Sequence, residues 1–136
     1  MPFVDDPTIS DDEKLLRRIR PDWFIPDYNL KRWRPSSAAF QDSPDKSPMS
    51  VHLASVLNAE NLPVESVLAG HEGYGLVGFL ARIARNLNQL IVRDPLPNDP
   101  AHALAVGEKK ESRRRKLAKI AEWIIAPNKP LPPEGA

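Results

Sequence analysis

GYGLVGFLARIARNLNQLIVRDPLPNDPAHALAVG, residues Gly73–Gly107, holds the longest apolar run of the chain and two of its best strand candidates. Ala101-His-Ala-Leu-Ala-Val106 ends at Gly107. Strand side chains alternate, so Ala101, Ala103 and Ala105 share one face, and His102, Leu104 and Val106 share the other. The small face predicts close packing, as under a helix. Leu90-Ile-Val-Arg93 is β-branched, short and stopped by Asp94-Pro95. Three prolines stiffen the loop from Asp94 to Pro100, because each fixes φ and removes a donor. Two strands so joined read as a hairpin or a wide connection. Upstream, Ile83, Ala84 and Leu87 are at helical spacing and predict a helix over about 79–88. Leu76–Leu80 reads equally as a strand or as the first turns of that helix.

Outside this stretch four further helices are expected. Ser10-Asp-Asp-Glu13 matches a capping box, and Leu15, Leu16 and Ile19 form a stripe, so a helix is expected over about 11–19, ended by Pro21. Leu117, Ile120, Ala121 and Ile124 share a face and predict an amphipathic helix over about 110–125, buried through Leu117, Ile120 and Ile124. Ser50 is expected to cap a helix over about 51–58, with His52 pointing to solvent. Pro63, Glu65 and Gly70 frame a short helix over about 63–69. The expected fold class is therefore α+β: a small single domain, a short β-sheet or hairpin packed by an N-terminal and a C-terminal amphipathic helix, with a long proline-rich irregular segment. Residues 1–9 read as a flexible arm, 10–125 as the domain, and 126–136 as a proline-rich tail that is disordered or extended.

The bulk properties fit one domain. The chain has 136 residues, net charge +1, 15 prolines and no cysteine. A disulfide framework and thiolate chemistry are excluded, and a reducing cytoplasm is compatible. No signal peptide is recognised at the N-terminus and no apolar run is long enough to span a membrane. A near-neutral charge does not point to a general polyanion binder.

Residues 20–48 contain five prolines and, in Trp23, Phe24, Tyr28, Trp33 and Phe40, five of the nine aromatics. Such aromatics either clamp the segment onto the core or, interleaved with Lys31, Arg32 and Arg34, form a recognition surface. In Arg34-Pro-Ser-Ser-Ala-Ala-Phe40, Arg34 can hold a carboxylate or phosphate, and Ser36 and Ser37 can donate or accept. The bland alternative is a serine turn beside a surface arginine. No G-x-S-x-G surrounds either serine, and no base is seen poised on a nucleophile. His102 is either a satisfied core or rim histidine or a ligand contact, with Asp99 placed to orient it.

His71-Glu72 lacks the second histidine of a zinc helix, since Gly75 stands there, so no metal site is expected. Gly73, Gly75 and Gly78 have dinucleotide-fingerprint spacing without the strand and acidic residue that would support it, so no cofactor is implied. Residues 109–125 carry seven Lys and Arg against two Asp and Glu, with Arg113, Arg114, Arg115 and Lys116 clustered at the helix start. The helix dipole disfavours that placement, which calls for an internal acidic patch, an outside anion or an acidic protein.

Arg34-Pro-Ser-Ser-Ala-Ala-Phe40, Met49-Ser-Val51, Asp99-Pro-Ala-His102 and the closing Arg-Arg-Lys-Leu-Ala with Glu-Trp resemble words of a family of small uncharacterised bacterial proteins. The resemblance covers most of residues 12–125. It implies a bacterial, intracellular origin and a convergence of those four words, and it carries no fold, substrate or catalytic residue across.

Three functions follow, in this order. The first is a non-enzymatic binding module for a partner protein or a small anion. The second is a small enzyme or ligand site built from Arg34, Ser36, Ser37, Asp99 and His102. The third is nucleic-acid binding through Arg113, Arg114, Arg115 and Lys116. Oligomeric state is not legible.

Overall fold

In the computed structural model, which describes residues 2–135, the expected hairpin is two strands of a much larger sheet. Eight strands are present: β1 (Lys14–Ile19), β2 (Phe24–Asp27), β3 (Arg32–Pro35), β4 (Met49–Leu53), β5 (Gly75–Leu80), β6 (Leu90–Arg93), β7 (His102–Val106) and β8 (Glu122–Ile125). Three short helices join them: α1 (Ala54–Ala59), α2 (Ala81–Asn86) and α3 (Glu111–Ile120). Six strands form one sheet in the order β6-β7-β4-β1-β5-β8, and β2 and β3 form a separate hairpin. Every pairing is antiparallel.

The architecture corrects the expectation of two amphipathic helices packing a hairpin. Residues 14–19 are a central strand, paired with both β4 and β5. Lys-Leu-Leu-Arg-Arg-Ile satisfies a period of two on both faces. Leu15, Arg17 and Ile19 point one way, Leu16 and Arg18 the other, and the three leucines and isoleucines are fully buried. Its helix-like spacing arises because both sides of a central strand are apolar. The Ser10 box is present only as a turn: Ser10 Oγ accepts from Asp12 N at 3.0 Å and Glu13 N donates to Ser10 O.

Residues 49–53 are likewise a strand rather than the start of a helix, and the helix follows at Ala54. Leu76–Leu80 resolves as strand β5, completely enclosed as far as Phe79, and α2 is only six residues long. The C-terminal helix stops at Ile120, and residues 122–125 join the sheet beside β5. Leu117 is buried, whereas Ile120 is 45% exposed, contrary to the expected stripe.

The first face of the sheet carries the main core. Leu15, Ile19, Val51, Leu53, Val77, Phe79, Ala103 and Ala105 meet Phe40, Phe24, Ala84 and Leu117 there. Ala103 and Ala105 are fully buried on this face as expected, whereas Ala101, also fully buried, precedes β7 and packs in the second core instead of sharing their face. Arg17 belongs to this face and donates from Nε to Ala39 O at 2.9 Å. The second face carries a smaller core of Leu16, Leu57, Val67 and Leu76, covered by α1 and a 3-10 turn at Val64–Leu68.

Two flanking segments close the edges. Asp6 N donates to Ile91 O and Ile91 N donates to Asp5 Oδ1, so residues 5–9 run along β6 with Ile9 buried. After β8, the chain crosses the hairpin. Trp33 Nε1 donates to Lys129 O and Tyr28 Oη to Pro132 O, while Lys129 Nζ stands 4.9 Å over the Trp33 ring. The aromatics of residues 20–48 thus clamp the hairpin through contacts such as Phe24 against Trp33 and Trp123.

Candidate functional site

The five side chains expected to form one site lie on opposite faces of the large sheet. Arg34, Ser36 and Ser37 are on the first face. Asp99 and His102 are on the second.

On the first face, alternation in β3 sends Trp33 and Pro35 inward and leaves Arg32 and Arg34 outward. The backbone then turns: Ser36 N donates to Trp23 O at 2.9 Å, and Ser37–Phe40 form a 3-10 turn that buries Ala39 and Phe40. That turn packs on α3. Arg115 and Lys119, one helical turn apart, therefore face the hairpin, and Ile25, Arg34, Ser36, Ser37, Arg115 and Lys119 line a cavity of about 440 Å³. Among the described residues, neither Arg34 nor Lys119 has a carboxylate within ion-pair reach, and neither serine hydroxyl has a protein hydrogen-bond partner. Arg115 pairs with Glu111 at 2.8 Å, an exposed contact of little strength. A neighbouring cavity of about 570 Å³ shares Arg34 and Lys119 but adds Asp27 and Glu122 beside Arg32, so the positive balance is greater in the smaller one.

Of the four cations at the start of α3, only Arg115 reaches this cavity. Arg113 donates to Glu108 O, Arg114 Nε is enclosed without a hydrogen-bond partner, and Lys116 is exposed. The sequence could not join Arg34 to Lys119, because 84 positions separate them and only the tertiary packing of hairpin on helix brings them together.

On the second face, His52 and His102 are direct cross-strand partners on β4 and β7. Their rings meet edge to face with centroids 5.7 Å apart. His52 is 2% exposed, not solvated as a helix position would have left it. Its Nε2 lies 2.7 Å from Asp99 Oδ2. Burial pushes the His52 imidazole below its ordinary value, with Asp99 opposing and Arg18 and His102 adding to the fall. Arg18 shares this face and donates from Nε to Val67 O at 2.6 Å, and with Ser66, Asn98 and Asp99 it lines a cavity of about 290 Å³.

His102 is held at both nitrogens. Nδ1 is 3.0 Å from Asp94 O and 3.1 Å from Asp94 Oδ2, and Nε2 is 3.0 Å from Ser50 Oγ. The loop that brings Asp94 and Asp99 to the two histidines is closed by reciprocal Leu96–Asp99 backbone bonds and by Asp94 N donating to His102 O. Ser50 and His52 were missed because residues 49–53 read as a helix start; the i, i+2 spacing of Ser50 and His52 in a strand is the signal that places both on one face.

Among the described residues, no group of three or more His, Asp or Glu side chains is placed to hold a metal ion. Among the same residues, no helix is long and apolar enough to cross a membrane. No family model, no curated protein and no solved structure matches the chain.

Proposed function

We propose that the protein is a binding module that recognises a small anion or an anionic group, carboxylate or phosphate, in the cavity between the β2–β3 hairpin and α3. The observation that carries this reading is the convergence of Arg34, Arg115 and Lys119 with the Ser36 and Ser37 hydroxyls on one cavity of about 440 Å³, with a single carboxylate, Glu111, paired nearby. Like charges held together repel, and a bound anion relieves that repulsion. Guanidinium and ammonium groups bond anionic oxygens more strongly than neutral donors do, and hydroxyls complete the shell. The cavity is open to solvent, which suits reversible binding. The reading takes the site to work in the cytoplasm, with which a cysteine-free chain is compatible.

Thermal melting of the full chain with and without inorganic pyrophosphate tests it. Pyrophosphate is expected to raise the midpoint of the wild type. Arg34→Ala and Lys119→Ala, both at exposed positions, are expected to melt as the wild type does alone and to lose the shift. A pyrophosphate shift that persists in both variants would remove the reading.

A further inference from the structure

The Ser50–His102–Asp94 cluster lies on the other face from the anion cavity and has a chemistry of its own. The carbonyl oxygen of Asp94 can only accept a hydrogen bond, so the proton of a neutral His102 resides on Nδ1, 3.0 Å away. Nε2 is then a bare lone pair, and the Ser50 hydroxyl 3.0 Å from it must be the donor. A serine whose hydroxyl points into an imidazole lone pair is polarised for attack on a carbonyl carbon. Asp94 Oδ2, 3.1 Å from Nδ1, is placed to stabilise the imidazolium that proton transfer creates.

The cluster is held in place from several sides. Arg17 Nη1 donates to Ser50 O at 2.9 Å, fixing the backbone of the serine. His52 stands edge-on against the His102 ring, and the Asp94–Pro100 loop is stiffened by its three prolines. Ser50 itself remains partly exposed. Its cross-strand partner is Leu104, whose own next partner is Val92, and both are half-exposed and belong to neither core cluster. With Val106 they make an apolar strip leading away from the hydroxyl. On the opposite side, the pairing of Leu16 with His52 puts Arg18 level with Ser50.

We propose that Ser50 is a nucleophile, activated by His102 and supported by Asp94, that hydrolyses esters of small apolar carboxylic acids. Ser50 Oγ bonds to the ester carbonyl carbon as its proton passes to His102 Nε2. The negative charge that forms on the carbonyl oxygen develops on the Arg18 side. The bond to the leaving alkoxide then breaks, and His102 returns the proton to that oxygen, releasing an alcohol. Water attacks the acyl-serine next, giving one proton to His102. The ester oxygen of Ser50 leaves and recovers that proton, freeing the carboxylic acid. No redox partner is needed, and the acyl chain lies along Leu104 and Val92.

The test uses the full chain with p-nitrophenyl butyrate as substrate and a fluorophosphonate as covalent probe, read by intact mass and peptide mapping. The expected result is hydrolysis above the buffer rate and one phosphonyl adduct, on Ser50. Ser50→Ala, which removes a single oxygen, should abolish both. His102→Gln should lower the labelling rate about 100-fold or more, the usual contribution of a positioned base. Asp94→Asn should reduce kcat with little change in KM. A chain that takes no adduct and matches the buffer rate would overturn the proposal, as would Ser50→Ala retaining either activity. If His102→Gln fails to fold, the Ser50→Ala comparison still decides.

Discussion

His52 and His102 face one another directly across β4 and β7, yet each is bonded to a different aspartate: His52 Nε2 to Asp99 Oδ2 at 2.7 Å, and His102 Nδ1 to the backbone and carboxylate of Asp94 at 3.0 and 3.1 Å. One seven-residue loop supplies both partners. The difference is burial. His52 is enclosed and held below its ordinary value of 6.5, chiefly by desolvation, whereas His102 keeps access to a partly exposed serine.

That enclosure predicts a pH dependence. The unfolded chain takes the His52 proton more readily than the fold does. The stabilisation is therefore fully present above about pH 6.5 and is lost as pH falls from there through the lower value His52 has in the fold. Each unit of separation is worth about 1.4 kcal/mol. Urea denaturation at pH 7.5 and 5.5 should show a loss in the wild type. His52→Gln, which has no proton to gain, should show a shallower one. Equal losses in the two proteins would assign the acid sensitivity elsewhere.

The C-terminal helix is anchored by one side chain. Leu117 is 1% exposed and Ile120 is 45% exposed. Leu117→Ala should cost about 2–5 kcal/mol and Ile120→Ala within about 0.5 kcal/mol, by chemical denaturation. A larger loss at Ile120 would restore the wider stripe that helical spacing suggested.

Lys109 is an enclosed cation. Its side chain is 4% exposed and is neutralised by Asp42 Oδ1 at 2.6 Å, with Ala105 O and Gly107 O completing its bonds. Asp42→Ala strands that charge and also removes the acceptor of Met49 N. A destabilisation of about 3–5 kcal/mol is expected. Lys109→Met together with Asp42→Ala should recover part of it, and failure to recover any would show that the charge is not what the carboxylate serves.

Gly75 is where β5 passes under the Trp123 ring. A Cβ there would meet Trp123 Cζ3 at 2.5 Å and Ile125 O at 3.2 Å. Trp123 Nε1 also donates to Trp33 O, so the ring ties the sheet to the hairpin. Gly75→Ala should cost about 1–3 kcal/mol, the range for overpacking, and should change the tryptophan fluorescence of the folded state. Unchanged emission would mean that the ring is not displaced.

The strands β6 and β7 and the shared face of Ala103 and Ala105 were legible because their alternation is strict and their bounds are turn residues. Ala101, placed on that face by the same alternation, precedes the strand and joins the second core. The same reasoning failed at 14–19 and at 49–53. A central strand buried on both faces has no polar alternation, so Leu15, Leu16 and Ile19 imitate a helical stripe. The helix at 110–125 was read five residues too long because Glu-Trp-Ile-Ile continues the apolar pattern into a strand. For the site, residue types were readable and their grouping was not. Arg34 remained with Ser36 and Ser37, but the Asp99 carboxylate expected to orient His102 serves His52 instead, Asp94 takes its place at His102, and the sheet lies between the two sets. Lys119, Ser50 and His52 joined them only through cross-strand register and helix packing, which no local spacing encodes.

Calorimetric titration of inorganic pyrophosphate into the wild type, Arg34→Ala and Lys119→Ala, each at low and at physiological salt, tests the anion cavity most directly. Saturable binding that weakens with salt is expected in the wild type. Each variant should bind about 10-fold or more weakly, the equivalent of one lost charged hydrogen bond of roughly 1.5–3 kcal/mol. No saturable heat in the wild type, or an affinity unchanged in both variants, would contradict the account.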